Sequence, residues 1–285
     1  MSLIRKIILL TKPIVSHFPK ISAIYRAIRD ELDFMKKSQV TPWGFKLAGN
    51  TAMANGSFEP VETELIRKLL LEVDVLVNIG ANVGYYCCHA LSMGIPVIAF
   101  EPMQRNLRYL CKNIKDNGWE NVEIFPLALS NKVDILDIYG ADTGASLIRG
   151  WAGIDENFKS LVPCSTMNII LNTRLKEKKA LILVDIEGAE RLMLEGANLI
   201  LTNKPKPIWV VEIVTSENQP NGIKSNPSFL STFQLFFQNG YRAFNANYDM
   251  HEVTVEDINL LSQGLVQSTT HNFIFIDRGE YDEHS

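Results

Sequence analysis

Between an apolar stretch and a helix-like one, the run Val75-Leu76-Val77-Asn78-Ile79-Gly80-Ala81-Asn82-Val83-Gly84 carries two glycines in a short loop. Glycine there lets backbone approach a ligand closely. A helix starting near Val83 would aim unpaired N–H groups and its positive dipole end at an anion such as a carboxylate. A second apolar run ends at Phe100-Glu101-Pro102, so Glu101 follows Gly80 by about 20 residues, the offset at which an acid meets ribose hydroxyls. A dinucleotide loop has a further glycine in its middle to admit a pyrophosphate. Ala81 and Asn82 occupy those places here.

A third apolar run, Leu181–Val184, ends in Asp185, Glu187 and Glu190, and a fourth, Ile208–Ile213, carries Glu212 near its end. The carboxyl edge of an open α/β sheet is where such folds place ligands. Side chains in a strand alternate faces, which puts Asp185 and Glu187 on one face, and a turn at Gly188 can bring Glu190 near them. Converging carboxylates can deprotonate a hydroxyl, hold a sulfonium by its charge, or collect a divalent ion such as Mg²⁺; all three readings stay open. Histidine adds no ligand pattern: His17, His89, His251, His271 and His284 are scattered without zinc-site spacing.

These positions need a scaffold that ends several strands at one edge. Apolar runs at Val73–Ile79, Pro96–Phe100, Val122–Pro126, Ala180–Ile186 and Ile208–Ile213 alternate with helix-like segments at Val83–Met93, Gln104–Asp116 and Ala189–Leu201. Such alternation predicts a parallel sheet covered by helices, an α/β fold. A helix near Pro227–Asn239 and runs at Tyr241–Asn245 and Phe273–Asp277, with no crossover helix evident between the two runs, predict an antiparallel ending. Asn131–Gly150 reads as an edge hairpin and loop. Before the sheet, apolar positions at Ile21, Ile24, Ile28, Leu32 and Met35 recur with helical spacing, and turn formers fill Thr41–Pro60. The expected division is therefore a helical extension with a lid-like linker over 1–60, then the main domain over 61–285.

The 285 residues are 46% hydrophobic and 21% charged, with a formal charge of −4 and no large block of either sign. This suits a globular chain with a sizeable core and does not suggest a nucleic-acid partner. Cys87, Cys88, Cys111 and Cys164 show no disulfide-scaffold density and read as buried thiols in a reducing, cytoplasmic setting. The apolar stretch Ile7–Leu10 is far too short to span a bilayer. Met1–Pro13 reads as a helix packed on the domain, with weak peripheral membrane contact as the alternative.

With the segments GANVGYY, AFEP and VDIEGAE in this order, the chain resembles the FkbM family of S-adenosylmethionine-dependent methyltransferases. The resemblance covers roughly Pro42 to Ile213. It implies a Rossmann-like class I methyltransferase fold, a seven-stranded mostly parallel sheet of order 3-2-1-4-5-7-6. It also implies O-methylation of a hydroxyl on a small-molecule or glycan acceptor. On that resemblance Asn78, Gly80, Ala81, Asn82 and Gly84 line the methionine part of the cofactor, Glu101 takes the ribose, and Pro102, Met103 and Ala128 border the adenine. Asp185, Glu187, Glu190 and Glu212 are then the catalytic candidates. Asn78 stands where the family usually has Asp, Leu183 where Lys is common and Asn168 where Asp is common. A cofactor-binding protein with little activity is accordingly one alternative, and an NAD-dependent oxidoreductase is another.

Overall fold

The computed structural model of the chain describes residues 30–281. The expected N-terminal contact at Met1–Pro13 and most of the expected helix over Ile21–Lys37 lie outside the described residues; residues 30–34 are helical. The strands in chain order are β1 (Gln39–Val40), β2 (Lys46–Leu47), β3 (Val75–Ile79), β4 (Val97–Phe100), β5 (Val122–Phe125), β6 (Ala128–Leu129), β7 (Asp134–Tyr139), β8 (Lys159–Ser165), β9 (Ala180–Val184), β10 (Ile208–Glu212), β11 (Tyr241–Asn245), β12 (Glu252–Val253) and β13 (Asn272–Asp277).

The central sheet has eight strands in the order β12-β11-β13-β10-β9-β3-β4-β5. From β5 through β10 every pairing is parallel, whereas β13 lies antiparallel to both β10 and β11. The expected count of seven is exceeded by the two-residue β12 on the edge of β11. Every residue of β3, β4 and β9 is buried, as continuous aliphatic runs must be when helices cover both faces. Alternation then sorts the side chains. Val75, Val77 and Ile79 join one core with Ile182, Val211, Phe229, Phe233 and Phe236. Leu76 joins a second with Leu183, Val210, Ile66, Leu110 and Ile274.

Several boundaries differ from the sequence reading, each for a local reason. The helix expected from Val83 begins at Tyr85, because Asn82 and Gly84 both adopt left-handed backbone. The single helix expected over Ala189–Leu201 is two short ones, Glu190–Leu194 and Asn198–Leu201. Between them Gly196 approaches Ser130 so closely that a β-carbon would lie 2.4 Å from its carbonyl oxygen. Asn131–Gly150 is not an edge of the main sheet. Its β7 pairs with β8 in a separate three-stranded sheet of order β6-β8-β7, and β8 went unseen in the sequence. The helix Val255–Ser262, with a capping box at Thr254 and Asp257, sits between β11 and β13.

The segment Thr41–Pro60 has structure of its own. The β1–β2 hairpin and the helix Thr51–Asn55, capped by the Asn50 side chain, bury Phe45, Leu47 and Met53 against Val83, Tyr85 and Tyr109. The Asn113 amide binds both backbone groups of Ala48 and the Val83 carbonyl, at 2.8–3.0 Å. The hairpin is thereby tied to the loop that follows β3. Trp43 packs edge-on against His89 at 4.4 Å.

Candidate active site

At the carboxyl edge of β3, β4, β9 and β10 two cavities open, one on each face of the sheet, and both are lined by Gly80, Asn82 and Asp185. The first, about 600 Å³, is walled by Phe100, Glu101, Met103, Ala128, Leu147 and Glu187. The second, about 640 Å³, is walled by Phe58, Glu59, Asn78, Tyr86, Val210 and Glu212. Strand alternation explains the split: Ile79 faces the first core and first cavity, while Asn78 faces the opposite way, into the second.

Gly80 (φ 81°) is where β3 breaks. A β-carbon there would fall 1.9 Å from the Asp185 carbonyl oxygen, so only glycine lets the ends of β3 and β9 meet. Gly80 and Ala81 both donate to the Phe100 carbonyl, at 3.0 and 2.9 Å, and Asn82 N–H turns to Glu101 Oε2 at 2.7 Å. Met103 N–H donates to the other oxygen of Glu101 at 2.8 Å. Glu101 is thus fixed at both oxygens by backbone, with lone pairs left toward the cavity. Its burial lifts the carboxyl to about 7 despite these donors. Gly84 lines neither cavity; a β-carbon there would strike Leu110 at 2.4 Å, so this glycine serves helix packing.

The acidic residues divide between the two cavities. The strand ends at Val184, and Glu187 and Gly188 take left-handed backbone, so the period-two placement of Glu187 beside Asp185 does not hold. Glu187 instead accepts the Trp151 indole N–H at 2.7 Å, and Ser146 donates to its carbonyl at 2.6 Å. Glu190 is buried, accepts Gly188 N–H at 3.0 Å, lines neither cavity, and is lifted to about 7 chiefly by burial. Asp185 and Glu212 hydrogen-bond to each other. Asp185 is exposed where it lines the two cavities. Desolvation first, and Glu212 second, hold its carboxyl well above the usual range.

The structure adds a carboxylate that the sequence did not single out. Glu59 lies in the second cavity with Asp185 and Glu212, accepts the Tyr86 hydroxyl at 2.7 Å, and is lifted to about 7, mainly by burial. Nothing in the aperiodic segment before Pro60 marks it. Among the described residues no Lys, Arg or His lines either cavity, and no group of three or more acids, histidines or cysteines is arranged to hold a metal ion. Cys87, Cys88 and Cys164 are buried as expected, but Cys111 is exposed. No helix among the described residues is long and apolar enough to cross a membrane.

A glycine turn after the first strand, an acid after the second and cavities at the carboxyl edge of a parallel sheet with an antiparallel ending define the class I methyltransferase fold. Residues 78–243 match the methyltransferase FkbM domain model, and the chain belongs to that family. It is similar to a methyltransferase FkbM structure from Methylobacillus flagellatus KT, at 13% identity and a TM-score of 0.39, over 90% of this chain and 60% of that one. The chain therefore spans less than two thirds of that protein's length. It is also similar to a precorrin-6y C5,15-methyltransferase from Geobacter metallireducens GS-15, at 13% identity and a TM-score of 0.40, over 69% of this chain and 78% of the other. A third is an SAH-bound methyltransferase from Podospora anserina, at 10% identity and a TM-score of 0.37, over 76% of each chain. No curated protein matches.

Proposed function

We propose that this chain is an S-adenosylmethionine-dependent methyltransferase that methylates a hydroxyl of a sugar, glycan or other small metabolite. The observation that carries the reading is the pair of cavities meeting over Gly80, Asn82 and Asp185. A cofactor with an adenosine and an amino-acid half needs two compartments, and its reactive centre belongs near their junction.

The residues present fit that cofactor. Glu101, oriented by two backbone N–H groups, would take the ribose hydroxyls, and Met103 and Ala128 supply an apolar wall for the adenine. Asn78, Ala81 and Asn82 would face the amino-acid end. Asn82 Oδ1 is buried without a hydrogen-bond partner among the described residues, an acceptor left for a ligand donor. When bound, the cofactor supplies an electrophilic methyl on a cationic sulfur, and walls bearing only acidic ionisable groups suit that charge. Asp185 and Glu212 would orient the acceptor, Glu187 would border the nucleoside side, and Glu190 would hold the 185–190 turn in shape.

Calorimetric titration tests the cofactor: S-adenosylmethionine and S-adenosylhomocysteine should bind and NAD should not. Binding of NAD alone would overturn the reading in favour of an oxidoreductase. A radiolabelled-methyl screen against neutral mono- and disaccharides tests the acceptor. Asn78 motivates a second reading, a binding protein without turnover, because the uncharged amide spends its N–H on Cys87 Sγ at 3.4 Å. Tight binding with no transfer to any acceptor would favour it.

A further inference from the structure

We propose that Glu59 is the proton acceptor for the substrate hydroxyl, and that Tyr86 is its positioning residue. The inference rests on the methyltransferase reading above and assigns the base within it.

The geometry argues by placement and by elimination. Glu59 enters the second cavity from the N-terminal segment, where the cavity is also lined by the sheet-edge residues Asn78, Gly80, Asp185 and Glu212. Oε2 accepts the Tyr86 hydroxyl at 2.7 Å, and Oε1 has no hydrogen-bond partner among the described residues. The other acids are committed elsewhere. Asp185 and Glu212 bind each other, Glu187 is held by Trp151 in the other cavity, and Glu190 is turned onto Gly188 N–H. Glu62 lines the same cavity but has no hydrogen bond among the described residues to hold it. Glu59 combines a carboxylate fixed by a neutral donor with an open oxygen in the second cavity, whereas Asp185 and Glu212 hold each other.

The step balances simply. The substrate O–H bond breaks and its proton passes to Glu59 Oε1. The oxygen forms a bond to the methyl carbon of the sulfonium donor as the S–CH₃ bond breaks, and that electron pair stays on sulfur as a neutral thioether. The proton then leaves Glu59 for water.

The ionisable groups facing Glu59 are Glu62 on the helix Pro60–Leu69, which Glu59 immediately precedes, Tyr85 and Tyr86 on the helix Tyr85–Ser92, Asp185 after β9 and Glu212 on β10. Burial and Asp185 raise its carboxyl and the Tyr86 bond opposes them, leaving it at about 7. A base of that kind is half ionised at neutral pH, where general-base catalysis is most effective.

The test compares wild type, Glu59→Gln and Tyr86→Phe by calorimetry and by turnover. In wild type, affinity for cationic S-adenosylmethionine should rise by about tenfold as pH climbs through about 7, with neutral S-adenosylhomocysteine little changed. Glu59→Gln should lessen that rise, leaving the part that Glu101 contributes, while binding S-adenosylhomocysteine as wild type does. Tyr86→Phe should move its midpoint upward by removing the donor. On any neutral saccharide that the wild type methylates, Glu59→Gln should lose about a hundredfold in kcat. A Glu59→Gln variant whose pH-dependent rise is undiminished, or that turns over normally, overturns the assignment of Glu59. Failure of the wild type to bind S-adenosylhomocysteine would instead overturn the methyltransferase reading itself.

Discussion

Gly80 and Asp185 lie so close that the hydrogen on Gly80 occupies the only space left before the Asp185 carbonyl oxygen; a β-carbon would stand 1.9 Å from it. The contact joins the ends of β3 and β9, two strands that are neighbours in the sheet but far apart in the chain. It also sets the junction of the two cavities. Gly80→Ala combines this overlap with a left-handed backbone that disfavours any β-carbon. It should cost at least ~2 kcal/mol, read as a lowered thermal midpoint with loss of S-adenosylhomocysteine binding.

Trp151 acts on the same turn from the other side. Its indole donates to Glu187, and its ring covers Gly188, where a β-carbon would lie 2.4 Å from the ring. Trp151→Phe keeps most of the cover but leaves a half-buried carboxylate without its donor, at a cost of about 1–3 kcal/mol. Thermal melts of the two proteins give the difference, and an unchanged midpoint would show that the bond adds nothing to the fold.

Glu101 and Glu190 are both lifted from 4.5 to about 7 by burial. The folded chain therefore binds more protons than the unfolded chain between those values. Stability from these groups is full below about 4.5 and is lost as pH rises through about 7. The thermal midpoint of the ligand-free protein should fall across that window. Glu101→Gln, which cannot ionise, should flatten the fall by on the order of 1 kcal/mol or more, and an unaltered slope would contradict the assignment.

Cofactor binding should show the same chemistry in reverse. A bound cation favours the ionised acids, so S-adenosylmethionine should release protons on binding near pH 7. Calorimetry in two buffers of different ionisation enthalpy measures this release, and S-adenosylhomocysteine should release fewer.

Thiol labelling gives a simple check on packing. Cys111 is exposed, while Cys87, Cys88 and Cys164 are buried and burial lifts Cys87 to about 12. In the native protein a disulfide reagent should react rapidly with one thiol of the four, and with the rest only after unfolding.

The parts of the fold that could be read from the chain are those where one physical demand dominates. Val75–Ile79 and Ala180–Val184 must be buried on both sides, and continuous aliphatic runs say so. The antiparallel ending was legible from the absence of an evident crossover pattern between Tyr241–Asn245 and Phe273–Asp277, although the helix Val255–Ser262 lies there. What could not be read depends on contacts between distant segments. Gly196 breaks a helical pattern because of Ser130. Glu187 leaves the strand face because Trp151 captures it. β8 mixes Lys159, Ser160, Pro163 and Ser165 in a half-exposed sheet, which leaves no clean alternation. Glu59 enters the cavity through a segment with no period at all, so its role rests on tertiary placement alone.

The insertion of β13 between β10 and β11 separates the limits of the family match from the limits of a stable piece. The matched span closes at Ala243, before β13 is made, and opens after most of β3 has passed. A fragment cut at those limits would leave β10 and β11 facing an empty slot with unpaired N–H and carbonyl groups, an invitation to self-association. Shortening this chain for expression or for grafting should therefore keep both the β1–β2 hairpin and the last strand.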